Sequence, residues 1–448
     1  MSTERTRTRA VALETLVVNA VNLAFGLGSA VLLSRVLGLT GRGELDAAML
    51  WPVLLAFFGN TGVIRATLYF AAGAAARPGA VLGNALALAA LQSAVLLVVG
   101  FVALPWTLQS QSSEVIELAR LYLAVIPLSL CSQNALSTIQ ARLHLRAFNV
   151  LRTVTPAGYF AGCALLSLSG TLDVRAAIWM QLALNALSVV STLAYVRFAG
   201  IASRLELDRP LAGSMLSYGF RVQAGEVSSG LNLRLDQAVM AAWLPPAQLG
   251  VYVAAVAAAS PAQILATAVR MVTVPLIARA PASDQARLVE AAVRRYAVAS
   301  LAFALLLALA LPALVPLVFG SEFSPAVPVA EVLLLGTVLM GAKDVLAGGA
   351  QAVGRPWLAS RCELVALVVT AAGLAALLPL FGVMGAAIAS VLAYGTALGL
   401  LVIGSVREFG LSLGSLARPT IDDVESLLPS LGVRLGTWRT GSRAQGAL

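Results

Sequence analysis

The sequence is short of charge. Only 11% of its 448 residues are Asp, Glu, Lys or Arg, while 59% are hydrophobic. A soluble chain of this size could not cover its core with so little polar surface, so the composition is that of an integral membrane protein. Histidine is almost missing as well: the single His144 lies between Arg142 and Arg146 in an expected loop, which leaves no histidine general base inside the membrane. The three cysteines, Cys131, Cys163 and Cys362, fall in or beside apolar runs and suit inert packing better than a disulfide framework or a metal site. No nucleotide-binding glycine loop, cysteine pair or zinc spacing occurs. Asp422-Asp423 reads as part of a helix start at Thr420 rather than as a catalytic acid pair. An enzyme is therefore not expected, and no cofactor or metal is.

Basic residues outnumber acidic ones, 30 against 21, and apart from Lys343 every one of them is Arg. They sit in short loops between apolar runs, which argues against nucleic acid as a partner. Crossing about 30 Å of hydrocarbon takes roughly 20 helical residues. Runs of that kind are expected at 15–37, 46–72, 80–105, 116–140, 152–170, 175–197, 212–242, 249–278, 296–320, 327–349, 358–381 and 384–405, which makes twelve spans. The first follows Arg5, Arg7 and Arg9 but is too long for a signal peptide, so it reads as a retained helix. It pairs with the second through a polar hinge, Leu39 to Glu44. The second carries Arg65 on a face with Thr61 and Tyr69.

An even number of spans puts both termini on one side. Alternate loops hold nearly all the arginine, and only Arg42 and Arg175 fall opposite, so the termini are expected in the cytoplasm of a bacterial cell, with the chain in its inner membrane. Trp51, Trp106, Trp179 and Trp243 group near the other interface. Leu37-Gly38, Gly43 and Ala47-Ala48 align with Leu244-Pro245, Gly250 and Ala254-Ala255 at a constant offset of 207. That spacing gives an all-α membrane fold of two six-helix bundles, 1–200 and 201–406, related by a pseudo-twofold along the membrane normal, with a tail at 407–448.

Polar stripes cross several spans at helical spacing: Asn19, Asn22, Gly26 and Ser29; Gln181, Asn185, Ser188 and Thr192; Ser260, Gln263, Thr267 and Arg270. Pro261 and Pro275 are expected to kink the eighth span. Within the spans, Arg35, Arg65, Arg120, Arg221, Arg234, Arg270 and Lys343 stand against Glu226, Asp236, Glu331 and Asp344, an excess of positive charge. A midplane charge costs roughly 2.5 to 3.5 kcal/mol on insertion scales, so such residues mark a pathway or a pair. Arg35 and Arg120 lie near span ends, within snorkelling reach. Arg65, Arg270, Arg221 and Arg234 are deeper, and a cavity they lined would suit an anionic head group. The arginine fork matches phosphate, so a lipid-linked pyrophosphate fits. Arg35 joins this substrate-binding set, and Asn22, Gln181, Asn185 and Gln263 are candidates for sugar hydroxyls. Asp236 and Glu226 are candidates for coupling to protons or sodium. Asp236 shares a face with Asn232 and Ser229, without a local partner.

Ser34-Arg35-Val36-Leu37-Gly38, Gly41-Arg42-Gly43-Glu44-Leu45, Leu233-Arg234-Leu235-Asp236 and Leu249-Gly250-Val251-Tyr252, set in this order of spans, resemble the bacterial polysaccharide-export flippases. These belong with lipid II flippases and drug and toxin exporters in the multidrug/oligosaccharidyl-lipid/polysaccharide exporter superfamily. The resemblance covers about residues 12 to 405, and the two additional spans usual in lipid II flippases are lacking. It implies an undecaprenyl-pyrophosphate-linked oligosaccharide carried outward across the cytoplasmic membrane, with membrane lipids around it and a polysaccharide polymerase or another assembly protein as candidate partner. The alternative is a cation-coupled multidrug exporter of the same fold, built on Glu226, Asp236, Glu331 and Asp344.

Overall fold

The computed structural model describes residues 2–73, 77–202 and 204–417, except the side chains of 2–13, 16, 224–234 and 356. Helices account for nearly all of it. They are α1 (2–37), α2 (39–72, interrupted at 60–62), α3 (Pro78–Thr107), α4 (113–141, interrupted at 123–124), α5 (Leu145–Leu168), α6 (Val174–Phe198), α7 (Arg209–Trp243), α8 (246–279), α9 (Ala282–Phe319), α10 (Ala326–Ala352), α11 (356–381), α12 (383–409) and the short α13 (Leu413–Ala417). Among the described residues, seven segments are apolar enough by length and composition to cross a membrane, and two of these, 17–59 and 357–409, double back at a glycine and so cross twice. Three further helices are long enough to span, α5, α7 and α10; α10 carries Glu331, Lys343 and Asp344. On α9, Leu301, Leu305 and Leu309 recur every four residues and stay exposed, the face a lipid chain would cover.

The turns follow from residue chemistry. Gly38 has φ 67°, ψ −173°, a conformation that costs a residue with a Cβ heavily, and it reverses the chain so that Gly26 and Leu33 line one cavity with Arg42 and Asp46. Gly382, at φ 54°, does the same for α11 and α12. The expected hinge Leu39 to Glu44 is not a loop: Gly38 alone makes the turn, so Leu39 begins α2 and Arg42 is a helical residue paired with Asp46 at 2.8 Å. Asp173 and Asp208 cap α6 and α7 by accepting from the amides of Ala176 and Leu211. Pro261 converts one turn of α8 to a 3-10 segment, Ser260–Ala262, whereas Pro275 sits within Gln263–Arg279 and does not end it.

Glycines set how closely helices approach. A Cβ on Gly43 would stand 1.8 Å from the carbonyl oxygen of Pro246, and one on Gly250 would stand 2.3 Å from that of Leu39. The two residues related by the 207 offset thus lie against each other's helix, on the pseudo-twofold, and they close the Gly38 end of the molecule. Arg35 adds to this seal: its Nε donates to Val318 O at 2.7 Å and its Nη2 to Leu317 O, capping the C-terminal carbonyls of α9.

A second glycine crossing lies near the arginine-rich end. A Cβ on Gly62 would come within 2.1 Å of Gly219 O, and Thr61 and Gly62 have φ 50° and 75°. Thr61 is therefore not on a helical face with Arg65, as its spacing suggests; its hydroxyl instead accepts from Gln92 Nε2 at 2.6 Å. The first turns of α7 dock onto the N-terminal half through this crossing. Met215 packs with Val63, Ala66 and Val81, and Gln223 Nε2 donates to Phe57 O at 3.1 Å. The far end of α7 carries Asp236 into the C-terminal half, so this helix straddles both. Its linker is also held on α3: Asn84 exchanges hydrogen bonds with the backbone of Asp208, and Gly79 and Gly83 make room for the carbonyls of Arg204 and Glu206.

Trp106, Trp179 and Trp243 project outward, but Trp51 is turned inward against the core. Residues 410–417 fold back on α9, where Glu290 accepts from Ser412 N and Ser415 Oγ, and Arg294 Nη1 donates to Ser415 O at 3.0 Å. The expected helix at Thr420 to Leu428, with Asp422-Asp423, lies outside the described residues.

Candidate functional site

The crossing of Gly62 over Gly219 leaves a cavity of about 1160 Å³ beside it, between the arginine-rich ends of α2, α3 and α7. Arg65, Arg77 and Asp208 line it with Tyr69 and Tyr218, whose rings stack 4.5 Å apart and 15° from parallel. A neighbouring hollow shares Tyr69 and Tyr218 and adds Arg221, whose Nε donates to Ser217 O at 3.1 Å. Among the described residues, three guanidiniums thus border this space and its adjoining hollow with the carboxylate of Asp208, which Arg77 engages directly; Arg77 also stands 3.8 Å from Glu206 Oε2. Leu68, Phe70, Val81 and Leu211 form the remaining wall. Such a space accepts an anionic group with apolar matter beside it.

Arg65 lines the cavity and Arg221 the hollow that adjoins it, while Arg270 lies apart from both. Arg270 lies against α10 with its Nε 3.2 Å from the position a Cβ on Gly348 would take, and it is not among the residues lining the α2–α7 cavity. Arg35 serves the seal described above. The side chains of Arg234 and Glu226 lie outside the described residues.

Gln181 lines a separate cavity of about 320 Å³ inside the N-terminal half, with Gly26, Ser29, Arg42, Asp46 and Tyr159. Asn185 is turned to its own helix, donating to Gln181 O at 2.8 Å. Asn22 Oδ1 is enclosed with no hydrogen-bond partner among the described residues. Gln263 reaches Met340 Sδ at 3.8 Å.

Asp236 is 6% exposed. It does have partners close by: Tyr252 Oη donates to its Oδ2, Ser390 Oγ stands 3.5 Å from the same oxygen, and the Gln237 amide donates to Oδ1 at 2.7 Å. Spacing along one helix concealed this because Tyr252 and Ser390 come from α8 and α12. Also missed was Glu363 of α11, whose Oε1 accepts from Lys343 Nζ, with Asp344 Oδ1 3.3 Å from the same ammonium. The signal was there: the chain's sole lysine, placed at membrane depth, demands a carboxylate on a neighbouring helix.

Among the described residues, twelve long helices in two six-helix halves, sealed at one end and bordered by guanidiniums near the other, form a fold found in solved membrane transporters. Solved structures share the fold. A multidrug resistance transporter of the MATE family in its inward-facing conformation superposes at TM-score 0.72, with 14% identity over 86% of this chain and 94% of that one. The lipid II flippase MurJ in an inward closed conformation gives 0.73, with 12% identity over 94% and 93%. The MATE multidrug transporter DinF-BH gives 0.60, with 16% identity over 90% and 96%. No curated protein sequence matches. The family model described as "Polysaccharide biosynthesis protein" matches residues 85–328, more than half of the chain, and the protein belongs to that family.

Proposed function

We propose that this protein moves an undecaprenyl-pyrophosphate-linked oligosaccharide outward across the bacterial cytoplasmic membrane by alternating access, with both termini in the cytoplasm. The observation that carries this reading is the α2–α7 cavity, where Arg65 and Arg77 stand with stacked tyrosines beside an apolar wall, and Arg221 lines the adjoining hollow on the same tyrosines. Guanidinium forks suit a pyrophosphate, the tyrosine pair suits a sugar face, and the apolar wall suits the first part of a polyprenyl chain. The excess of arginine in the loops on that side supports a cytoplasmic position for the cavity and an outer one for the Gly43–Gly250 seal. Asp236, buried under Tyr252 and Ser390, is the candidate for coupling to protons or sodium. A polymerase or another assembly protein would receive the product.

Each charged hydrogen bond to the head group is worth about 1.5 to 3 kcal/mol. Arg65→Ala and Arg221→Ala are therefore expected to lower export of lipid-linked glycan by about 10- to 150-fold at unchanged expression, and Arg65→Lys to restore part of it because an ammonium lacks the fork. Export is read as restored surface polysaccharide in cells lacking their own flippase. Normal export by both alanine variants would reject the reading. One observation favours a multidrug exporter instead, the buried carboxylate of Asp236, and resistance to cationic dyes conferred by the wild-type protein would decide for it.

A further inference from the structure

The C-terminal half holds a buried ionic centre that the reading above does not use. Lys343 of α10 is 7% exposed, and its ammonium lies between two carboxylates: it donates to Glu363 Oε1 across the α10–α11 interface and stands 3.3 Å from Asp344 Oδ1. Two carboxylate oxygens from two helices closing on one small cation is the arrangement that also holds a hard metal ion. We propose that the Lys343 ammonium is the resident cation of this half, filling between Asp344 and Glu363 the place a sodium ion would otherwise take, so that this half exchanges protons and not metal ions.

The surroundings support both parts of the statement. From α8, Arg270 lies over Gly348, one turn beyond Asp344 on the same face of α10. It brings a second positive charge to this face of α10. From α9, Tyr296 packs on Gly341 and donates to Val338 O at 3.3 Å. On α11, the charged neighbour Arg361 lies over the Trp357 ring. From α12, Tyr394 lies over Gly336 and within electrostatic reach of Asp344, Glu363 and also Asp236. Asp236, in turn, receives hydrogen bonds from donors on α8 and α12. Ammonium and hydroxyl donors thus already engage the carboxylates of Glu363, Asp344 and Asp236 in this half. The exchange consists of one proton moving onto a carboxylate oxygen from water at one side and later off it to water at the other, with no covalent change in the protein.

The inference deepens the coupling part of the proposed function, but its test involves no transported substrate, so an error about the glycan leaves it standing. Full-length protein in nanodiscs of phosphatidylethanolamine and phosphatidylglycerol is assayed for equilibrium binding of radioactive sodium and for its unfolding midpoint in NaCl against choline chloride at equal ionic strength. The wild type is expected to bind no stoichiometric sodium and to unfold at the same temperature in both salts. Lys343→Met leaves the two carboxylates without their ammonium. It is expected to gain one saturable sodium site and a rise of about 3 °C at a hundredfold excess of sodium over its Kd, both lost in Lys343→Met/Glu363→Gln. Recovery of Lys343→Met only when it is purified in sodium would count for the proposal. Stoichiometric sodium on the wild type overturns it whether or not any variant folds, and so does a folded Lys343→Met that ignores sodium.

Discussion

The seal at the Gly38 end admits a quantitative test. Gly43→Ala places a Cβ 1.8 Å from Pro246 O, and because ordinary contact begins at 3.4 Å, α2 and α8 must separate locally by about 1.6 Å. The opposing atom is backbone, so no rotamer change relieves the overlap. Overpacking of this kind costs about 1 to 3 kcal/mol. In a transporter that closes one end while opening the other, the cost falls on the state in which this end is shut, so the balance is expected to shift about 5- to 150-fold toward the state open there. Ala47 and Ala254, one turn deeper on the same faces and again 207 residues apart, are 0% and 2% exposed. Ala254→Cys is therefore a reporter: a membrane-impermeant maleimide added to whole cells should label it slowly in the wild-type background and many-fold faster with Gly43→Ala. Unchanged labelling, together with an unchanged unfolding midpoint, would mean that the two backbones do not meet at Gly43 and Gly250, and the seal as described would be wrong.

Two further outcomes follow from the hydrogen bonds. Asp236→Asn keeps the shape and the contact with Tyr252 and is expected to fold yet lose gradient-driven transport, while Tyr252→Phe lowers the unfolding midpoint by a few degrees by removing one bond to a buried carboxylate; transport by Asp236→Asn unchanged at every proton and sodium gradient would end its coupling role. Truncation after Arg418 is expected to leave export intact, whereas truncation after Phe409 removes the segment bound to Glu290 and Arg294 and should cost stability measured in detergent.

The span count was legible because it rests on runs of about 20 apolar residues, and the hydropathy of a membrane segment is hard to disguise. The repeat was legible for a narrower reason: Gly43 and Gly250 cannot carry a side chain where they sit, so the offset survives there even though the surrounding residues differ. Local geometry was harder to read. Leu39 to Glu44 looked like a hinge because it holds Gly41 and Gly43, but Gly43 serves a helix crossing and Gly38, just before the stretch, suffices for the reversal. Arg65 and Arg221 were readable as deep arginines, yet the adjoining hollows they line depend on the docking of α7 onto the other half, which no periodicity records. Arg270 stands apart from those hollows because α8 packs it against Gly348 of α10. Tyr252, Ser390 and Glu363 needed knowledge of which helices touch.

The straddling position of α7 bears on how the protein is made. The first six helices leave the ribosome with the glycine face of α3 and the saddle at Gly62 uncovered, and both are covered only when residues 204–223 arrive. The N-terminal bundle is thus completed by the opening turns of the C-terminal one, and membrane insertion of the seventh helix finishes the first half before the second has begun to assemble. A gene split in the loop after α6 would separate the bundle from its own last piece, while a split beyond α7 would keep it whole but remove Asp236 from the half in which its partners Tyr252 and Ser390 reside.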